Sequence, residues 1–156
     1  MREFRVWAAL LRIAIGGVWI FEAYPQLASR ESYLADGFGK MVQAMASGNP
    51  WSFYREFLMR IVLPHASVFS YLTLVGNILI GVCLLVGLLT PYAAGLAMLL
   101  NVNYALADGW MNRMSYSLNA ALFFGELVII ALMAGQVLGI DARLGGGPER
   151  KRARRY

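Results

Sequence analysis

A carboxylate stands inside hydrocarbon in the stretch Leu122 to Leu132, "LFFGELVIIAL", where Glu126 interrupts an otherwise apolar run. An ionisable side chain in such a setting is costly, and it marks a proton or ligand site by default. Amides, phenols and one further acid share its character: Asn77 in "VGNILIG", Asn101 and Tyr104 in "LLNVNYAL", Asn119 in "SLNAAL", and Glu22 and Tyr24 in "FEAYP". Counted along their helices, Glu126 lies about 13 Å down from one end, Asn77 about 16 Å down, and Asn101 about 13 Å up from the opposite end. All three therefore approach one depth. Asn119 and Glu126 stand two turns apart on one side of the same helix. Carboxyl and amide groups gathered at one depth can hand on a proton or hydrogen-bond a polar ligand head group. Equally, Glu126 can act only as a packing pin, since hydrogen bonds inside membranes average about 0.6 kcal/mol. If no cation reaches it, desolvation favours the neutral acid, which can donate a hydrogen bond.

The elements that must position these groups follow from composition. Of 156 residues, 59% are hydrophobic and only 15% charged, which is too apolar for a soluble domain of this length. A bilayer core about 30 Å thick needs roughly 20 residues of helix. Four segments qualify, at 6–27, 66–89, 92–107 and 117–138. The second has no charge at all and no polar outer face, which excludes a soluble bundle. Arg12 and Glu22 spoil the N-terminal segment as a secretory signal, so it reads as an uncleaved first span. In "WSFYREFLMRIVLPH", Tyr54, Phe57, Leu58, Ile61 and Val62 share one helical face while Arg55, Glu56 and Arg60 share the other. That pattern predicts a helix over 51–63 lying in the membrane interface, with Trp51 as anchor and Pro64 as the break into the second span. The expected fold is therefore all-α: one integral-membrane four-helix bundle, residues 1–156, with an amphipathic interfacial helix in its first connection.

Polar stripes predict which faces turn inward. Ser70, Thr73, Asn77 and Gly81 form one; Ala94, Ala97, Asn101, Tyr104 and Asp108 form another. These faces place Glu126 in a central site with Asn77 and Asn101, extended outward by Asn119, Tyr24 and Glu22. Asn103 points roughly 160° away from Asn101 and is left as interhelical glue. Arg12 either snorkels to the headgroups or pairs with Glu126.

Charge sets topology and partners. Arg2 and Arg5 precede the first span, and the basic tail 143–156, "RLGGGPERKRARRY", follows the last, so both termini are expected to be cytoplasmic. Beside a membrane helix the tail sets orientation and touches anionic lipid; nucleic acid is not expected as a partner. Cys83 stands alone in the second span and reads as a small core thiol. His65, the single histidine, reads as a polar residue at a helix start, without the companions a metal or bis-histidine haem site needs. The glycines of "RLGGGP" follow a helix rather than open one, and no Walker loop is present, so nucleotide binding has no support.

Four blocks in order, "LRIAIGGVWIFEAYPQL", "NPWSFYREFLMRIVLPHASVFSYL", "GNILIGVCLLVGLLTPYAAGLAMLLNVNYAL" and "NAALFFGELVIIALMAGQVLGIDARL", resemble the DoxX/DoxD family over nearly the whole chain. The likeness is closest to the DoxD branch, named from a small subunit of a thiosulfate:quinone oxidoreductase. Gly76-Asn77 stands where that family usually has Gly-Glu, Pro91 where an arginine is common, and Ala134-Gly135-Gln136 where it has "AGR". The resemblance implies a bacterial or archaeal cell-membrane protein working beside redox subunits in quinone-linked electron transfer. In that setting the site is a quinone or proton site, with Trp19, Phe21, Tyr24 and Tyr104 as aromatic walls and Glu126 as a relocated acid. No haem, iron–sulfur or copper ligand set is readable in the chain, so the electron carrier, and any oxidoreductase activity, is assigned to a partner. A purely structural subunit docking onto a respiratory or photosynthetic complex, or a small transporter or proton path, are the alternatives.

Overall fold

Helix α1 (Arg2–Ala28) opens the chain and reaches its end just past Pro25, whose carbonyl accepts from the Ser29 amide at 3.1 Å and the Ser29 hydroxyl at 2.7 Å. The computed structural model describes residues 2–136 and 138–144, and every regular element among them is helical. A single turn, α2 (Arg30–Ser32), passes through a π turn (Tyr33–Gly37) into α3 (Phe38–Ala46). Gly48 turns the chain at φ +85°, leading to α4 (Ser52–Phe57).

The sequence predicts a separate helix over 51–63 that breaks at Pro64. The structure corrects this: Ser52–Val86 is one continuous helical run. The run widens to a π turn at Leu58–Val62 and tightens to a 3-10 turn at Leu63–His65, which absorbs the N–H that Pro64 lacks, and then continues as α5 (Ala66–Val86). Gly87, in the left-handed region at φ +68°, caps α5 by donating its N–H to Cys83 O.

Helix α6 (Thr90–Ala107) starts with a proline in its first turn, and α7 (Arg113–Ala131) is capped by Asn112, whose Oδ1 accepts from Met114 N at 3.0 Å and Ser115 N at 3.3 Å. After α7 the chain makes a 3-10 turn (Ala134–Gln136) and a short helix α8 (Ile140–Leu144). The last apolar segment thus runs as Arg113–Ala131 rather than 117–138. Of the basic tail expected over 143–156, residues 145–156 lie outside the described residues.

The long helices pack as α1 on α5 and α6 on α7, with α1–α7 and α5–α6 contacts closing the set. Between them lie Ile15, Trp19, Ile80, Leu84, Ala94, Ala97 and Ile129, all buried. The outside is hydrocarbon: Leu72 and Leu79 on α5, Leu99 on α6 and Phe124 on α7 are exposed. Three helices, Val6–Ala28, Ser52–Val86 and Arg113–Ala131, are long and apolar enough to cross a membrane. Helix α6 is 18 residues long and diluted by Asn101 and Asn103.

A second core caps one end of this set, where Phe38 and Val42 of α3 meet Tyr54, Leu58, Val62 and Ala107. Asn49, 1% exposed, staples the cap down: its Nδ2 donates to Leu106 O at 3.0 Å, and its Oδ1 accepts from Trp51 N at 3.0 Å.

Candidate functional site

Glu126 is fully buried where α1, α6 and α7 meet. Its Oε1 accepts from Trp19 Nε1 at 2.9 Å and its Oε2 from Asn101 Nδ2 at 2.8 Å. Both carboxyl oxygens are satisfied by neutral donors. The ion pairs among the described residues, Lys40–Asp36 and Arg60–Glu56, lie elsewhere and are exposed. Arg12 is no counter-ion. It is buried and turned toward the termini, donating to Ala134 O at 3.2 Å and Leu138 O at 2.9 Å. It therefore reaches neither Glu126 nor a headgroup, because the chain after α7 supplies carbonyls nearer than either.

Above the acid, toward the capped end, is a cavity of about 220 Å³. Asn101 lines it, and the Asn101 Oδ1, buried, has no hydrogen-bond partner among the described residues. The amide thus holds Glu126 with one end and leaves an acceptor at the other. Tyr104 and Asn77 line the same cavity and bond to each other, Tyr104 OH donating to Asn77 Oδ1 at 2.9 Å. Tyr104 also meets Trp19, ring centroids 6.4 Å apart. Glu22, Gln26, Asp108, Ser115 and Asn119 complete its polar lining.

The predicted residues divide. Glu126 and Asn101 meet directly. Asn77 lies in the same chamber but is engaged with Tyr104, and Asn119 bonds Ser115, its Nδ2 donating to Ser115 O at 2.8 Å. Glu22 is exposed yet contributes to the cavity wall. Tyr24 is a correction: at 66% exposed it faces outward, as Phe21 does. Five residues on from Trp19, Tyr24 sits roughly 140° around the helix, whereas Glu22 sits only about 60° away. Asn103 has the expected other role, with its Oδ1 accepting from Tyr54 OH at 2.8 Å.

From the sequence Trp19 reads only as an aromatic wall, whereas in the structure it is the acid's donor. Its one signal was the indole N–H itself, a group that needs a partner once buried. The Asp108–Ser115 pair was missed too: Ser115 Oγ donates to the Asp108 carboxylate at 2.9 Å across the α6–α7 turn.

Apolar helices packed around a buried acid held by an indole and an amide, beneath a polar chamber, define a multi-pass membrane protein with a sheltered polar interior. The family model described as "TQO small subunit DoxD" matches residues 7–147, and the chain belongs to the DoxD family. That family is a small subunit of thiosulfate:quinone oxidoreductase. No curated protein and no solved structure matches the chain.

Proposed function

We propose that the chain is the membrane-embedded subunit of a quinone-linked redox complex, and that its polar chamber receives a quinone head group. The observation that carries this is the buried Oδ1 of Asn101, without a hydrogen-bond partner among the described residues, on a residue that lines the chamber and whose Nδ2 holds Glu126. The volume is compatible, since a cavity of about 150 Å³ takes benzene and this one is about 220 Å³. Asn101 would hold a ring oxygen, and Tyr104, whose O–H is given to Asn77, would wall the ring beside Trp19. When bound, the quinone supplies the capacity to take up or release electrons together with protons, and the electrons come from a partner subunit.

The chain's own part is to match hydrogen-bond polarity to protonation. With Glu126 ionised, Asn101 turns its NH₂ to the acid and its carbonyl to the chamber, ready to accept from a hydroxyl. With Glu126 protonated, the acid can donate to the amide oxygen. The reversed amide then presents NH₂ to the chamber, ready to donate to a carbonyl. We further infer that α6 also crosses the bilayer, giving four spans. Both termini then face the cytoplasm, since Arg12 ties α1 to the C-terminal segment and the basic residues flank that end.

Titration of the detergent-solubilised full chain with a tailless methoxy-substituted benzoquinone, read by quenching of tryptophan fluorescence, tests the reading. Saturable binding is expected, weakened about tenfold or more by Asn101→Leu, which removes a directed hydrogen bond. Absence of saturable quenching by the wild-type chain overturns it.

A further inference from the structure

Beside the polar chamber lies a second cavity of about 260 Å³, between the capping segments and the adjoining ends of α5 and α6. The two chambers share a wall of Met41, Met45, Thr73 and Tyr104. Their linings differ in polarity, the second being the more apolar. Glu22, Gln26, Asp108 and Asn119 line the first, while Phe57, Leu58, Val62 and Leu100 line the second. Of the polar groups that border the second, the two phenols are engaged, Tyr54 OH donating to Asn103 and Tyr104 OH to Asn77.

We propose that the second cavity seats the hydrocarbon tail of the ligand whose head occupies the polar chamber, so that the site takes a ring joined to an isoprenoid or alkyl chain. This rests on the head-group reading above. A tail attached to a ring in the polar chamber has to leave through one wall. The wall bearing Glu22, which is exposed, and Asp108, which is partly so, disfavours it, because methylene groups packed there would strip water from carboxylates without replacing it. The methionine wall does not: unbranched thioether side chains re-pack at low cost and open a path from polar to apolar space. Within a bilayer the tail gains little from leaving lipid, since lipid is as apolar as the cavity. The second chamber therefore selects the shape of the ligand rather than driving its binding. A phospholipid acyl chain fits the same walls but carries no ring to continue into the space above Asn101.

The test uses the full chain in one detergent, with the tailless methoxy-substituted benzoquinone and its decyl homologue as probes, and two variants that fill the second cavity from different elements, Val62→Phe and Ala107→Leu. Wild type is expected to bind both probes. Each variant is expected to weaken the decyl homologue by about tenfold or more, the scale of overpacking a closed site, and the tailless ring by less than about twofold. Because detergent partitioning of each probe is common to wild type and variants, the ratio isolates the cavity. The tailless ring also reports that each variant is folded. Unchanged affinity for the decyl homologue in both variants, or parallel loss of both probes in both, overturns the tail seat while leaving wild-type head-group binding intact. A co-purifying phospholipid that the decyl homologue fails to displace overturns it too. If wild type does not bind the tailless ring, the head-group reading fails first and this one with it.

Discussion

At the scale of single residues, the decisive group is Glu126, because its two neutral donors make it replaceable in one way and not in another. Glutamine keeps the volume: its oxygen accepts from Trp19, and its NH₂ donates to Asn101 once that amide reverses. Leucine leaves the Trp19 N–H and the Asn101 amide without a partner. An unpaired buried polar group costs about 1–3 kcal/mol, so Glu126→Leu is expected to destabilise by that amount and Glu126→Gln by less than about 1 kcal/mol, measured by reversible unfolding in mixed micelles. Glutamine is also a permanent copy of the protonated acid, which gives a second outcome. In wild type the oxidised ring should bind more weakly as pH rises through the titration of Glu126, because the ionised acid holds the NH₂ of Asn101 and leaves only its carbonyl facing the chamber. Glu126→Gln should bind it with a flat profile. The titratable groups that line the chamber are Glu22 on α1 and Tyr104 and Asp108 on or next to α6, and Arg12 on α1 is occupied by carbonyls. If Glu126→Gln keeps the wild-type pH dependence, one of the remaining groups carries it and the amide relay is wrong.

Among the elements, the α1–α5 contact decides whether Trp19 is delivered to the acid. A Cβ on Gly16 would lie 2.9 Å from Leu85 N and 3.0 Å from Gly81 O, both backbone atoms that cannot swing aside, whereas one on Gly17 meets nothing within 4 Å. Gly16→Ala is therefore expected to lower stability by about 1–3 kcal/mol by prising the helices apart, and Gly17→Ala to be neutral or to stabilise by up to about 1 kcal/mol through helix propensity. Comparing the two unfolding midpoints checks it, and equal effects would mean that the helices are not this close. The helices themselves were legible in the sequence because long apolar runs and polar stripes are local patterns. Counting along them also brought Glu126 and Asn101 to a common depth. What stayed hidden depends on relations between segments. Pro64 reads locally as a break, yet a π turn followed by a 3-10 turn carries the helix through it. Tyr24 looked like chamber lining until the rotation of α1 was fixed by Trp19 meeting Glu126, across a sequence distance no periodicity spans.

The molecule as a whole has two differently built ends, and the polar chamber belongs to only one of them. At the other, Asp141 supplies the cap that α6 lacks in its own sequence, its carboxylate accepting from Leu89 N at 2.8 Å and Thr90 N at 2.9 Å. Its own N–H donates to Gly87 O at 2.9 Å, so the segment after α7 is bound to the α5–α6 turn. Arg12 completes the latch by reaching two carbonyls of that segment from α1, and a Cβ on Gly87 or Gly139 would run into its guanidinium. A lysine cannot copy this, since an ammonium on one stem lacks the planar fork that reaches two acceptors at once. Arg12→Lys is expected to cost about 1–3 kcal/mol and to speed tryptic cleavage after Arg143, followed by mass spectrometry, because the segment that carries α8 loses its hold on α1. Ring binding should change by less than about twofold, since Trp19 lies two turns along α1 from Arg12, about 10 Å, beyond the range at which separate sites usually couple. Loss of ring affinity in step with faster cleavage would instead mean that the latch sets the rotation of α1, and with it the position of the indole that holds the acid.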